Sequence, residues 1–282
     1  MRARKFFKNS IVHVVLACLS FIWLLPIVFA VLTSLRGELG AEKPYIIPKE
    51  FTFANYTGLF TSGSLSYTTW FMNTLFVAIF TCALSAFFVL CVSYSMSRMR
   101  FKMRKPLMNI ALVMGMFPGF MSMIAVYYIL KGFGFLNSGE MKLVALILVY
   151  SGGAGLGFYI TKGFFDTIPK ALDEAAYLDG CTRWHVFTKI TMPISKPIVV
   201  YTLITSFMAP WTDFIFAKVI LGQDTNYFTI AIGLWSMLER ENINYYYTSF
   251  FAGCILISIP IAALFLVTQK FYAESVAGAV KG

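Results

Sequence analysis

The sequence predicts an all-α integral membrane protein with six transmembrane helices and a cytoplasmic helix–turn–helix loop between spans four and five. Three observations carry this expectation. Mean hydropathy is +0.74, and only 13% of the 282 residues are charged, about half the share of an ordinary soluble domain. The apolar residues gather in six segments, each close to the roughly 20 residues that a helix needs to cross lipid. One polar insert, DEAAYLDGCTRWHVFTKITMP at residues 173–193, breaks the pattern with charges at Asp173, Glu174, Asp179, Arg183 and Lys189.

The six segments are residues 10–33, 69–95, 107–130, 142–165, 197–221 and 247–268, within one membrane domain spanning 1–282. Lipid replaces the buried core that a soluble fold would need. A closed β-barrel would instead show short alternating segments. The first segment follows a basic MRARKFFK and contains a weak cleavage-like Val28-Phe29-Ala30. It outruns the about 7–15 apolar residues of a signal peptide, so an uncleaved span is expected. Pro118-Gly119 predicts a kink in the third span. The fourth carries Gly153 and Gly155 in a run of small residues. Such residues let helices pack closely, or unwind a helix beside a substrate cavity. The fifth holds Trp211 and Asp213. A carboxylate inside a membrane faces a cavity or a partner. Asp213 therefore reads either as a wall of a translocation path or as a hydrogen bond between packed helices.

Charge sets the direction. Sixteen Lys and Arg lie in the N-terminal tail, residues 96–106, residues 162–196 and the C-terminal tail, against seven in the complementary segments. The positive-inside rule puts both termini and the polar insert on the cytoplasmic side of a multi-pass membrane protein. Topology thus accounts for the net charge of +10, and no nucleic-acid motif accompanies it. Outside lie residues 34–68, 131–141 and 222–246. The first of these reads either as a packed cap on helix ends or as a docking surface.

The five cysteines form no C-x-x-C pair and only two histidines are present. The thiols read as small hydrophobes, with no metal site. No phosphate-cradling G-x-x-x-x-G-K-[ST] occurs, and no nucleophile–base or paired-carboxylate arrangement is visible. An enzyme is disfavoured on these grounds.

The loop 166–196 reads as a docking element. Asp166 or Thr167 can cap a helix, Pro169 fits its first turn, and Gly180 ends it in left-handed geometry. Thr182 can cap a second short helix from Arg183 to about Ile190, and Pro193 closes the unit. Leu172, Ala175, Ala176 and Asp179 share one face by spacing. That face either folds against the chain's own bundle or receives a partner.

The same stretch resembles the signature loop of binding-protein-dependent ABC importer permeases, with its Glu-Ala-Ala, three residues, Gly, nine residues, Ile-x-Leu-Pro. Here Glu174-Ala175-Ala176 precede Gly180, Ile190 follows after nine residues, and Met192-Pro193 replaces Leu-Pro. Tyr94-Ser95-Met96-Ser97-Arg98 with Phe101, Phe117-Pro118, Gly134-Phe135-Leu136-Asn137, Gly163-Phe164-Phe165 and the tail Ala277–Gly282 are similar to the maltose-type carbohydrate subgroup, and to its second permease subunit. Where the subgroup often has Trp-Asn-Glu-Phe, this chain has Trp211-Thr212-Asp213-Phe214. The resemblance implies a permease for sugars, with oligosaccharides such as maltodextrins as the expected class, in the inner membrane of a bacterial or archaeal cell. It implies a second homologous permease subunit, two copies of an ABC ATPase that bind ATP and Mg, and an external sugar-binding protein. Glu174, Ala175, Ala176, Asp179, Gly180, Ile190 and Pro193 would couple to the ATPase, and the tail would reach towards the ATPase dimer interface. The competing expectation is a stand-alone secondary transporter or channel, which ATP dependence would distinguish.

Overall fold

The structure, a computed structural model, describes residues 2–41, 43–116, 119–152 and 155–279. Its helices run in the order α1 (Arg2–Ser34), α2 (Ala54–Thr61), α3 (Tyr67–Arg98), α4 (Arg104–Gly115), α5 (Gly119–Gly132), α6 (Gly139–Gly152) and α7 (Gly155–Thr167). The polar insert follows as α8 (Lys170–Leu178), α9 (Arg183–His185), a π-helical stretch (Val186–Thr191) and α10 (Met192–Ile194). Then come α11 (Lys196–Thr212), α12 (Ile215–Leu221), a 3-10 turn (Thr225–Tyr227), α13 (Ile230–Met237) and α14 (Ile243–Ala279). Among the described residues the only β pairing is an isolated antiparallel bridge between Arg36 and Phe51.

Four helical stretches are long and apolar enough to cross a membrane: Val12–Ser34, Tyr67–Arg98, Gly139–Thr167 and Ile243–Gln269. Arg183–Ile194 and Lys196–Thr212 qualify only together, across a bend of 85°. The expected third span is two helices, α4 and α5, and of the apolar helices Met121–Gly132 is a shorter one. The predicted kink at Pro118 lies outside the described residues, as does the end of the C-terminal tail beyond Ala279. The expected fifth span, 197–221, is broken. α11 ends at Thr212, Asp213 is extended (φ −82°, ψ 120°), and α12 begins two residues later.

The apolar helices keep apolar side chains on their surfaces. Trp23 is 79% and Phe21 66% exposed on α1, which suits contact with hydrocarbon in place of water. Burial is reserved for contacts between helices, and there small and hydroxylated side chains recur. Ala78, Thr74, Thr81 and Ser93 of α3 are all fully buried. Small residues let helix backbones approach where lipid supplies no hydrophobic drive for association.

The chain forms two compact units: the described residues up to Thr68 with Leu234–Ile259, and Thr69–Gly233 with the residues from Pro260 onward. In the first unit the 34–68 loop is a hydrogen-bonded cap. Asn55 Nδ2 donates to the carbonyls of Ser34 (2.9 Å) and Arg36 (2.8 Å), while its Oδ1 accepts from Thr248 Oγ1 (2.8 Å). These bonds satisfy carbonyls freed at the end of α1. The buried Tyr67 hydroxyl donates to Gly253 O (3.1 Å).

The segment expected as an outer loop, 222–246, contains α13, whose first residues, Ile230–Gly233, belong to the second unit. Ile230 and Ile232 are fully buried, so this stretch is packed structure and not a free loop. The sequence conceals it because eight residues of uniform apolarity carry no periodic face. Thr74 Oγ1 accepts the Ile230 N–H (2.7 Å), and Trp70 Nε1 donates to Thr225 O (3.1 Å). Gly233 lies against the Trp70 ring, and a Cβ added there would sit 2.1 Å from Trp70 Cε3. Trp70 is buried and held by its hydrogen bond, so it cannot swing away. Gly233→Ala is expected to destabilise the folded protein by about 1–3 kcal/mol through overpacking. Gly139→Ala, which would meet the half-exposed Tyr227 ring, should do less. Thermal melting of the two variants in detergent checks the order.

Candidate functional site

The insert begins where α7 ends. Phe165 and Ile168 are buried and join Ala86, Leu90 and Tyr94 of α3, Phe187, and Ile198 of α11 in one apolar cluster. The Tyr94 ring lies 4.7 Å from that of Phe187 and 6.3 Å from that of Phe165. Three chain segments therefore close around the end of α3.

Neither Asp166 nor Thr167 caps α8. Asp166 Oδ1 accepts from Ser97 Oγ (2.6 Å) and its Oδ2 pairs with Lys162, while Thr167 Oγ1 donates back to Phe164 O (2.7 Å). Both side chains are used in finishing α7. Pro169 stands just before the helix with ψ 130°, so α8 starts at Lys170 without a side-chain cap.

The residue that fixes α8 is Asp173. It is buried, and its Oδ2 lies 3.2 Å from Nε of Arg98, the last residue of α3; the two side chains are 8% and 5% exposed. Arg98 Nη2 also donates to Ile168 O (2.9 Å). One guanidinium thus holds both the approach to α8 and its first turn. A buried pair of this kind contributes little net stability when intact, but removing one partner strands the other charge, at about 3–5 kcal/mol. The sequence marks Asp173 only as one of the insert's charges and does not reveal its partner. The available signal was an arginine closing a 32-residue apolar helix, a position where a charge has to find an anion or water.

The shared face expected for Leu172, Ala175, Ala176 and Asp179 is divided. Ala176 turns inward with Asp173 and is buried; Leu172, Ala175 and Asp179 are exposed, with Glu174 beside them. The inward face is set by the ion pair, three residues from Ala176. The outward surface sets large apolar side chains among these charges: Leu178 of α8 is 90% and Trp184 of α9 63% exposed.

Gly180 ends α8 as its residue type predicts. Its φ is +82°, Cys181 N donates to Ala176 O (2.9 Å) and Gly180 N to Tyr177 O (3.1 Å). This pair of bonds is the Schellman arrangement, and it requires left-handed backbone at the glycine. Thr182 Oγ1 then caps the next turn by accepting from His185 N (3.3 Å). The second helix is not α-helical as far as Ile190. It widens at Val186–Thr191, where Met192 N reaches Phe187 O. The widening directly precedes Pro193, which lacks an N–H and whose ring crowds the previous turn of a tight helix. Ile190 is half-buried and Pro193 exposed in α10. At Ser195 the chain turns into α11.

The expected pathway residues fall in different settings. Trp211 is buried, its ring 5.3 Å from Phe71 and 5.9 Å from Phe207. Asp213 stands at the break between α11 and α12. Its two oxygens accept from Phe216 N (3.2 Å) and Ala217 N (3.1 Å), and Oδ2 accepts from Tyr150 Oη (2.5 Å). It caps the second half of the broken helix and ties it to α6. It also lines a cavity of about 370 Å³ with Ser122, Met123 and Val149. Gly155 opens α7, and Gly153 lies outside the described residues. Among the described residues no group of three or more His, Cys, Asp and Glu side chains could hold a metal ion.

Residues 90–277 match the family of binding-protein-dependent transport system inner membrane components. The chain is 34% identical to the galactooligosaccharides transport system permease protein GanQ of Bacillus subtilis, covering 100% of this chain and 99% of that one. It is 30% identical to the maltodextrin transport system permease protein MalD of Streptococcus pneumoniae, again over 100% and 99%. Among solved structures it is similar to a chain of a bacterial ABC transporter that imports alginate, with a TM-score of 0.78 and 19% identity over 96% of this chain and 98% of that chain. The fold is shared at that distance, and the family match spans the insert and every helix from the end of α3 to α14. The chain belongs to the binding-protein-dependent transport system inner membrane components, as a carbohydrate ABC importer permease of the maltose type.

Proposed function

We propose that this chain forms half of the translocation path of an ATP-driven importer of oligosaccharides, and that the insert 166–196 is its joint to a separate ATPase. The single observation that carries the coupling role is the outward face of α8 and its surroundings. Leu172, Leu178 and Trp184 are exposed on an element whose other face is locked to α3 by Arg98 and Asp173. A rigidly held apolar surface suits a permanent partner. Family membership and the position of Glu174-Ala175-Ala176 and Gly180 within that surface support the ATPase as the partner. ATP and Mg belong to that subunit. A second permease completes the path, and an external binding protein delivers substrate. The galactooligosaccharide and maltodextrin relatives support an oligosaccharide.

The chain crosses the membrane six times in this reading. α4 with α5 forms the third crossing, and α11 with α12 the fifth. The excess of Lys and Arg at both termini and around the insert supports cytoplasmic ends. ATP-driven closure of the ATPase dimer moves α8, and the Arg98–Asp173 pair carries that movement into α3. The bend at Ser195 carries it into α11. No covalent chemistry falls to this chain.

Three outcomes test the reading. Gly180→Val is expected to abolish ATP-dependent sugar uptake while the protein stays in the membrane, because valine resists φ +82°. Normal uptake would remove α8 from coupling. Asp173→Asn should lower the melting temperature and uncouple ATP hydrolysis from uptake, since a buried Arg98 is left without its counter-charge; Arg98→Gln combined with Asp173→Asn should recover stability. Asp213→Leu should destabilise by about 1–2 kcal/mol through the lost helix cap, whereas Asp213→Asn keeps an acceptor and is expected to transport normally. Loss of uptake in a thermally unchanged Asp213→Asn protein would assign the charge itself to the path.

A further inference from the structure

Beside the insert, a cavity of about 890 Å³ opens between the start of α4 and the end of α7. Its polar end is lined by Arg100, Lys102, Arg104, Lys105 and Lys162, and no carboxylate lines it. Lys162 pairs with Asp166. Arg100, Lys102 and Lys105 make no ion pair or side-chain hydrogen bond with any described residue, and Arg104 interacts only at longer range with the Asp166 carboxylate that Lys162 already pairs.

Two of these cations sit where a helix disfavours them. α4 opens on Arg104 and Lys105, has no acidic residue in its first turn, and has no side-chain cap. The positive end of the helix macrodipole therefore faces positive side chains. An anion placed in the cavity would relieve both. Away from the charges the cavity runs along two turns of α4, over Met108 and Leu112, with Tyr159 on the facing helix. Tyr159 is held there by its hydroxyl, which donates to Met108 O. A free inorganic anion would use the charges and leave the apolar wall empty. A molecule with a phosphate head and an acyl tail matches both ends.

We propose that this cavity is a binding site for an anionic glycerophospholipid, its phosphodiester among Arg100, Lys102, Arg104 and Lys105 and one acyl chain along Met108 and Leu112. Basic pockets between membrane helices are a recurrent form of headgroup recognition. The site is separate from the outward face of α8, and its occupancy does not depend on which sugar is carried. Because Lys162 and Asp166 join it to Ser97 at the end of α3, a bound lipid borders the same junction that holds the insert.

The test titrates phosphatidylglycerol into the intact detergent-solubilised importer and counts bound lipid by native mass spectrometry. Each charge removed should weaken binding about fivefold, so Arg104→Gln with Lys105→Gln should weaken it roughly 25-fold. Arg104→Lys with Lys105→Arg should bind as the parent does, and Lys43→Gln with Lys49→Gln, which removes equal charge elsewhere, should leave binding unchanged. Phosphatidylcholine should not replace the bound lipid, and millimolar inorganic phosphate should not displace it. Equal binding by the glutamine variant, equal occupancy by phosphatidylcholine, or absence of a saturable site in the importer would overturn the proposal. Displacement by phosphate would reassign the site to a free anion.

Discussion

The architecture of the polar insert depends on one buried ion pair. Arg98 ends an apolar helix of 32 residues with its side chain 5% exposed, and a buried guanidinium needs a counter-charge. Asp173 and the Ile168 carbonyl meet it. Because those two partners lie on either side of Pro169, the single side chain determines the angle at which α8 leaves α7. It also determines which face of α8 is turned inward. Ala176 follows Asp173 into the interior, and Leu172, Ala175, Leu178 and Asp179 are left outside. Hydrophobic burial alone would have chosen differently, since leucine would be expected to go in and aspartate out. The apolar cluster of Tyr94, Phe165, Phe187 and Ile198 then packs around a geometry already constrained by charge.

A related constraint explains where the helices break. In a membrane every backbone N–H and C=O left by a break needs a partner inside the protein. At the interruption after Thr212, Asp213 supplies two acceptors to the restarted helix and binds Tyr150 of α6. The carboxylate that looked costly in a continuous span is the group that makes a discontinuous one possible. The end of α1 is served the same way by Asn55, and the start of α13 by Thr74.

The apolar segments were legible because long hydrophobic runs carry their own meaning, and α1, α3 and α14 lie where the runs lie. The turn at Gly180 was equally legible, since left-handed backbone selects for glycine. The breaks were not. The passage from Ala209 to Ile220 is apolar on both sides of Asp213, and nothing local distinguishes a kinked span from two helices. α13 was hidden for the opposite reason: it is short and lies in a stretch that also contains loop residues. The inward face of α8 was left open because spacing groups residues without saying which group turns inward, and the deciding residue, Arg98, is 75 positions earlier in the chain. Trp211 and Asp213, expected to line a path, make packing and capping contacts that connect segments too far apart for sequence spacing to join.

The 85° bend at Ser195 makes α9, the π-helical stretch and α10 the short arm of a bell crank, with α11 as its long arm. Seventeen residues of helix extend about 25 Å. A rotation of about 10° at the elbow would carry the far end of α11 through roughly 4 Å, comparable to the pitch of one helical turn. That far end is where Trp211 and Asp213 stand. A push perpendicular to the short arm, in the plane of the two arms, becomes a sweep perpendicular to α11 at the other end, so the bend alone provides leverage between them.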